Sequence, residues 1–349
     1  MQLRRLLISA ASLALTLAAL ELGFRLLAPH LGVDRRELKS IEDLAVRGRS
    51  PLYEPHAYVG YRMRAGQRSV GALGFAGPEA PPGTAPGTVR IACLGGSETQ
   101  GSRPWRAEEF LAVQLREALA AAGAGPVEVQ NRGVPGWTTA ETLAAYFTTV
   151  QDHAPDVVVY QHALGDVAPR LWPGLLRDYS HYRRPWRQRL CGPLEELAVE
   201  KSELYAWLYS RRRGSWGLGA LVDRPPAGPL ALEGGTDSFR RNVLTVGEHV
   251  AARGGAVALV TTPLSPRAEH GAGELPAACR EGVEQHNEAL RELARAEGWL
   301  LVDAAAWFAE RPERVGPLFR NLVFLEAGGT RLVAERVTAA LQGAGLLGP

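Results

Sequence analysis

The chain has 349 residues, 46% of them hydrophobic and 22% charged, with a formal net charge of +2. These proportions suit a globular protein with one sizeable domain and appendages, and so small a net charge gives no reason to expect nucleic acid as a partner. Three widely spaced cysteines, Cys93, Cys191 and Cys279, build neither a disulfide framework nor a zinc site, and no metal or cofactor is expected.

Arg4 and Arg5 precede an uncharged run over residues 6–20, which Glu21 ends. The run is shorter than the roughly 20 residues of a full span. It suits the hydrophobic region of a signal sequence, yet no Ala-x-Ala cleavage site follows. Residues 1–28 are therefore expected to form an uncleaved signal anchor or transmembrane helix, leaving the rest membrane-anchored and extracytoplasmic, on the periplasmic or cell-surface side. A buried or amphipathic helix, or cleavage after export, are the alternatives. Residues 29–87 are rich in Pro, Gly and Arg and read as a tether with a loosely structured lead-in.

A regular alternation begins at Val89. Residues 89–94 form an apolar strand, 104–122 a helix, 127–130 a strand, 138–150 a helix opened by the capping box Thr138-x-x-Glu141, and 157–160 a strand. Residues 171–235 interrupt the rhythm with tyrosines, tryptophans and arginines. This insertion reads as an amphipathic helical cap packed on the domain, or else as a carbohydrate groove or a membrane-facing surface. The alternation resumes with a helix over 237–253, a strand over 256–261, a helix over 275–297, a strand over 300–303 and a helix over 328–341. Asp303 is placed to cap the helix that follows it. Apolar strands alternating with helices predict a five-stranded parallel sheet in a three-layer α/β/α sandwich of flavodoxin-like type, spanning 88–345. The apolar strand at 89–94 runs into Gly95-Gly96-Ser97. That turn lifts Ser97 to the sheet's carboxyl edge, where ligands gather in open α/β folds.

Four stretches together resemble the SGNH (GDSL-type) hydrolase family. Gly95-Gly96-Ser97-Glu98-Thr99-Gln100-Gly101 is similar to the block carrying the nucleophile, and Asn131-Arg132-Gly133 to the block whose glycine N–H helps bind the oxyanion. Ala163-Leu164-Gly165-Asp166 stands at the Gly-x-Asn-Asp position, and Asn321-Leu322-Val323-Phe324 at the Asp-x-x-His position. The resemblance implies the SGNH fold, Ser97 as nucleophile and Gly133 as oxyanion N–H.

Three positions depart from the pattern. Phe324 replaces the histidine that takes the serine proton, Asn321 the aspartate that orients it, and Gly165 the asparagine that donates to the oxyanion. A serine hydroxyl needs an adjacent base, so the standard route of acyl transfer is blocked. His162 is the nearest substitute base in the sequence and His270 the next. His153, His181 and His286 are expected to be solvated, and Asp166 to fix a turn. Three readings follow: an impaired or non-catalytic protein that binds acylated carbohydrate or supports envelope-processing proteins; an ester hydrolase or O-acyltransferase using Ser97 with a relocated base; and a structural membrane-tethered module.

Overall fold

The computed structural model describes residues 2–31, 33, 52–66, 70–77, 87–101, 106–182, 193–213, 231–271 and 273–347. Residues 32, 34–51, 67–69 and 78–86 of the tether and lead-in lie outside them, as do Trp186 and Trp216 of the insertion.

In chain order the elements begin with helix α1 (Gln2–Leu27) and strands β1 (Tyr53–His56), β2 (Gly60–Met63) and β3 (Val89–Gly95). Helices α2 (Ser97–Gln100) and α3 (Leu111–Ala121), strand β4 (Val127–Gly133), helix α4 (Thr139–Thr148) and strand β5 (Val157–Gln161) follow. The insertion holds α5 (Val167–Arg170) at its edge, then α6 (Pro193–Lys201) and α7 (Glu203–Arg213). The chain continues through α8 (Asp237–Ala252), β6 (Ala256–Val260), α9 (Glu274–Glu297), β7 (Leu300–Val302), α10 (Ala304–Ala309), α11 (Pro312–Val315) and α12 (Ala327–Gly343).

Chain packing divides into two units, residues 56–183 with 225–349, and residues 1–55 with 184–224. The larger unit carries a five-stranded, fully parallel sheet of order β4-β3-β5-β6-β7, as the strand pattern predicts. Alternate residues of β3 face opposite ways. Ile91 and Cys93 pack with Leu111, Leu115 and Leu119 of α3 and with Val333, Val337 and Leu341 of α12. The Cys93 thiol is fully buried and pushed up to about 12 by desolvation, which makes it an inert core side chain. After β3 the chain crosses to one side, and after β5 to the other. The carboxyl ends of β3 and β5 therefore flank the switch point of the sheet, and Ser97 sits there. Asp303 accepts the Ala306 N–H at 3.1 Å and so caps α10.

One expectation is unconfirmed and three need correction. Among the described residues no helix is long and apolar enough to cross a membrane. Helix α1 exists over Gln2–Leu27, and Glu21 ends its uncharged run at residue 20. The lead-in is not loose over its described residues 56–66 and 70–77. Tyr61 and Trp137 are buried, the Tyr61 hydroxyl donates to Pro135 O at 2.6 Å, and the Trp137 indole donates to Tyr61 O at 3.0 Å. Helix α3 starts at Leu111 rather than 104, because buried Glu109 lies in a separate 3-10 turn, Ala107–Glu109. Finally, the insertion is not one cap. Tyr179 and Tyr182 are buried in the larger unit, whereas α6 and α7 group with α1 in the smaller one.

Candidate active site

Strand β3 ends at Gly95, whose tight approach no other residue could make: a methyl group there would collide with the Gln161 carbonyl and the Thr99 hydroxyl. That hydroxyl donates to Gln161 O at 2.9 Å, tying α2 to the end of β5. Ser97 is thereby held half-buried in a small recess lined by Glu98, Gly101, Gln161 and Pro263. Val323, Phe324, Leu325 and Thr330 also line it. Pro263 is positioned by its neighbour Thr262, whose backbone Asn287 of α9 clamps with two hydrogen bonds, 2.8 and 2.9 Å.

Phe324 thus shares the recess with Ser97, as the block spacing implies. Asn321 Oδ1 accepts the N–H groups of Val323 and Phe324, at 3.2 and 2.9 Å, so its amide shapes the turn that presents the ring. Among the described residues no imidazole hydrogen-bonds to the Ser97 hydroxyl.

His162 is fully buried and does not line the recess. Its ring packs beside the serine turn, since a methyl built on Gly96 would come within 3.3 Å of Cε1. Its Nδ1 lies 3.3 Å from Asp166 Oδ2. Burial lowers the His162 pKa, against the opposing pull of the Glu98 and Glu141 carboxylates. Asp166 holds the start of α4 by accepting the Thr139 N–H at 2.9 Å and its hydroxyl at 2.5 Å. Burial nonetheless pushes its carboxyl up to about 7.

His270 bonds through Nδ1 to the Ser265 hydroxyl at 2.8 Å. Ser265 N–H in turn donates to Leu322 O at 2.8 Å. The histidine therefore braces the loop behind the recess and does not reach Ser97. His286, expected in solvent, is instead fully buried. Its Nδ1 pairs with Ala163 O at 2.9 Å, its Nε2 faces Arg170 at 3.4 Å, and its ring stacks on Phe239. The helix-face pattern of α9 gave no sign of this, because the partners come from distant segments. His181 is also held, with Nε2 2.9 Å from Pro169 O.

The oxyanion side is altered at both expected positions. The Gly133 N–H donates to Asn131 Oδ1 at 2.9 Å, so it is already engaged and does not stand free as the second block implies. Gly165 has no room for a side chain: a methyl there would collide with the Trp137 carbonyl and approach His162 Cε1 at 3.0 Å. Glu98, which the motif comparison left without a role, adds a carboxylate beside Ser97. Its Oε1 accepts the Leu164 N–H at 2.6 Å and the Ala163 N–H at 3.3 Å. Its Oε2 is buried without a hydrogen-bond partner.

A sequence profile described as the GDSL-like lipase/acylhydrolase family matches residues 93–321. A lipase/acylhydrolase from Enterococcus faecalis is similar in structure at 17% identity, TM-score 0.48, over 75% of this chain and 98% of its own. The acetyl xylan esterase AlAXEase aligns at 18% identity, TM-score 0.46, over 72% of this chain and 100% of its own. A GDSL-like lipase from Bacteroides thetaiotaomicron aligns at 14% identity, TM-score 0.43, over 73% and 88%. No curated protein sequence matches the chain.

Proposed function

The chain belongs to the GDSL-like lipase/acylhydrolase family, and on that premise we propose that it is an impaired or non-catalytic member whose Ser97 recess binds a short acyl group carried on a polyhydroxy compound, acylated carbohydrate being the class. The observation that carries this reading is Phe324 in the recess with Ser97. A benzyl ring neither takes nor returns a proton, and loss of a triad member typically leaves only about 10³–10⁴-fold acceleration over water. The engaged Gly133 N–H and the crowded Gly165 support the same conclusion, since each missing oxyanion donor costs on the order of 10²–10³ in turnover. Val323, Phe324 and Leu325 offer an apolar wall for the acyl chain, and Gln161 and Thr330 offer polar groups to hydroxyls. The test is hydrolysis of a chromogenic acetyl ester by the wild type and by Ser97→Ala. Equal background rates, with saturable binding of an acetylated oligosaccharide lost in Leu325→Asp, are expected. Turnover that disappears with Ser97→Ala would overturn the non-catalytic reading.

One observation favours a second reading, an active ester hydrolase or O-acyltransferase with a relocated base. His162 Nδ1 stands 3.3 Å from Asp166 Oδ2 and the ring adjoins Gly96, which puts an imidazole and a carboxylate near the serine turn. Neither ring nitrogen makes a hydrogen bond, so this reading needs the ring to turn toward Ser97; in that case Ser97→Ala and His162→Phe would each abolish turnover.

We also propose that the protein is exported and meets a membrane through α1, where it supports envelope-processing proteins. The support is the sequence order of Arg4 and Arg5 before the uncharged run at 6–20. Fractionation of the full chain tests it: recovery in the soluble cytoplasmic fraction would refute the placement.

A further inference from the structure

The smaller unit contains a clasp that joins the insertion to the amino-terminal helix. Glu21 of α1 accepts the Ser202 hydroxyl at 2.7 Å and the backbone N–H groups of Glu203 and Leu204 at 2.8 and 3.1 Å. It therefore satisfies donors at the start of α7 that the helix itself leaves open. Arg25 Nε lies 2.8 Å from Glu21 and 3.9 Å from Glu203. The Phe24 and Trp207 rings meet at 5.4 Å. These contacts all lie at the carboxyl end of α1.

Among the described side chains of α1, those at 8, 9 and 11–20 are exposed. At 3.6 residues per turn, Leu13, Leu17 and Leu20 share one side of the helix and Leu15, Leu22 and Leu26 the opposite side. All six are more than half exposed, from 53% to 72%. A protein partner or a groove would cover one side. Apolar exposure on both sides calls for an occupant that surrounds the helix, as acyl chains do. The hairpin adds to this surface, with Leu194 of α6 at 83% exposure, Leu197 at 51% and Leu208 of α7 at 50%. The uncharged stretch is 15 residues, about 22 Å of helix, against the ~30 Å of a bilayer core. Arg4 and Arg5 at one end can keep their charged heads at the phosphates, while at the other end Arg25 stays paired with Glu21.

We propose that α1 is immersed in lipid between its charged ends, and that the α6–α7 hairpin, clasped at Glu21, is a membrane-contacting collar that places Leu194, Leu197 and Leu208 against the bilayer. The inference rests on the reading that α1 meets a membrane, and assigns this part of the insertion to lipid instead of to the Ser97 recess.

The full chain carrying Cys191→Ser leaves Cys93 and Cys279, both buried, as poorly reactive thiols. An environment-sensitive fluorophore is then attached at Leu17→Cys, Leu197→Cys or Glu335→Cys, the last an exposed control position on α12. Vesicles of phosphatidylcholine and phosphatidylglycerol are added, with or without doxyl-labelled acyl chains. Blue-shifted, doxyl-quenched emission is expected at positions 17 and 197 and not at 335. Quenching at 17 without quenching at 197 would overturn the collar while leaving membrane contact standing; quenching at neither would remove both. In a Glu21→Ala background, position 197 should lose its quenching while position 17 keeps it. Quenching at 197 that persists there would show that the Glu21 clasp does not place the hairpin.

Discussion

Position 324 decides what Ser97 can do. The ring of Phe324 stands in the recess, and Asn321 Oδ1 already accepts the residue 324 N–H at 2.9 Å. Asn321→Asp with Phe324→His would therefore place an imidazole in the recess with a carboxylate three residues before it. A positioned general base contributes typically 10²–10⁴-fold, and a gain of at least about 10² in kcat/KM for an acetyl ester is expected. No gain in a folded double variant would mean that the recess has lost the geometry of acyl transfer. Adding Gly165→Asn should worsen the result, because the new side chain meets the Trp137 carbonyl and His162. Overpacking of that kind costs typically about 1–3 kcal/mol, visible as a lower melting temperature. The positions of Ser97, Asn321 and Phe324 were legible in the sequence because each lies within a short block whose internal spacing fixes the turn. The engagement of Gly133 was not, since it depends on which way the Asn131 amide points. Nor was the burial of His286, which arises from Phe239, Arg170 and Ala163, all distant in sequence.

At the scale of elements, the strands were legible because a parallel sheet buried on both faces imposes continuous apolar runs, as at Val157–Gln161, buried throughout. Strand β4 runs three residues further than its apolar part, through Asn131, Arg132 and Gly133. Those residues have weak strand preference and are held by the ladder to β3, where Cys93 faces Asn131 and Gly95 faces Gly133. The capping box at α4 was equally plain, and both of its reciprocal hydrogen bonds are formed. It matters to the site because α4 begins where Thr139 bonds to Asp166 beside His162. Thr138→Ala should lower stability by about 1 kcal/mol, read as a reduced urea midpoint with an unchanged m-value. An unchanged midpoint would mean that Asp166 alone secures the start of the helix. The α1–α7 clasp had no signal in sequence, for Glu21 and Ser202 are 181 residues apart and neither stands in a recognisable motif.

The whole larger unit should feel two buried groups that titrate in opposite senses. His286 is held neutral: its Nδ1–H donates to Ala163 O, and its Nε2 lone pair faces the Arg170 guanidinium. Burial and that neighbouring charge lower its pKa from 6.5 to about 3. Between those values the unfolded chain binds a proton that the folded one does not, so this group makes stability fall as pH falls through 6.5 toward 3. Asp166 is raised from 3.8 to about 7 by burial. Between those values the folded chain holds a proton that the unfolded one lacks, so this group makes stability fall as pH rises from 4 toward 7. In the window from about pH 4 to 6.5 the two slopes cancel, each being about 1.4 kcal/mol per pH unit. Removing one group should expose the other. Relative to wild type, Asp166→Asn should gain a stability that rises with pH across that window, and His286→Gln one that declines. Urea midpoints at half-unit pH steps measure both differences, and parallel curves for wild type and either variant would show that the residue replaced does not titrate as its burial requires.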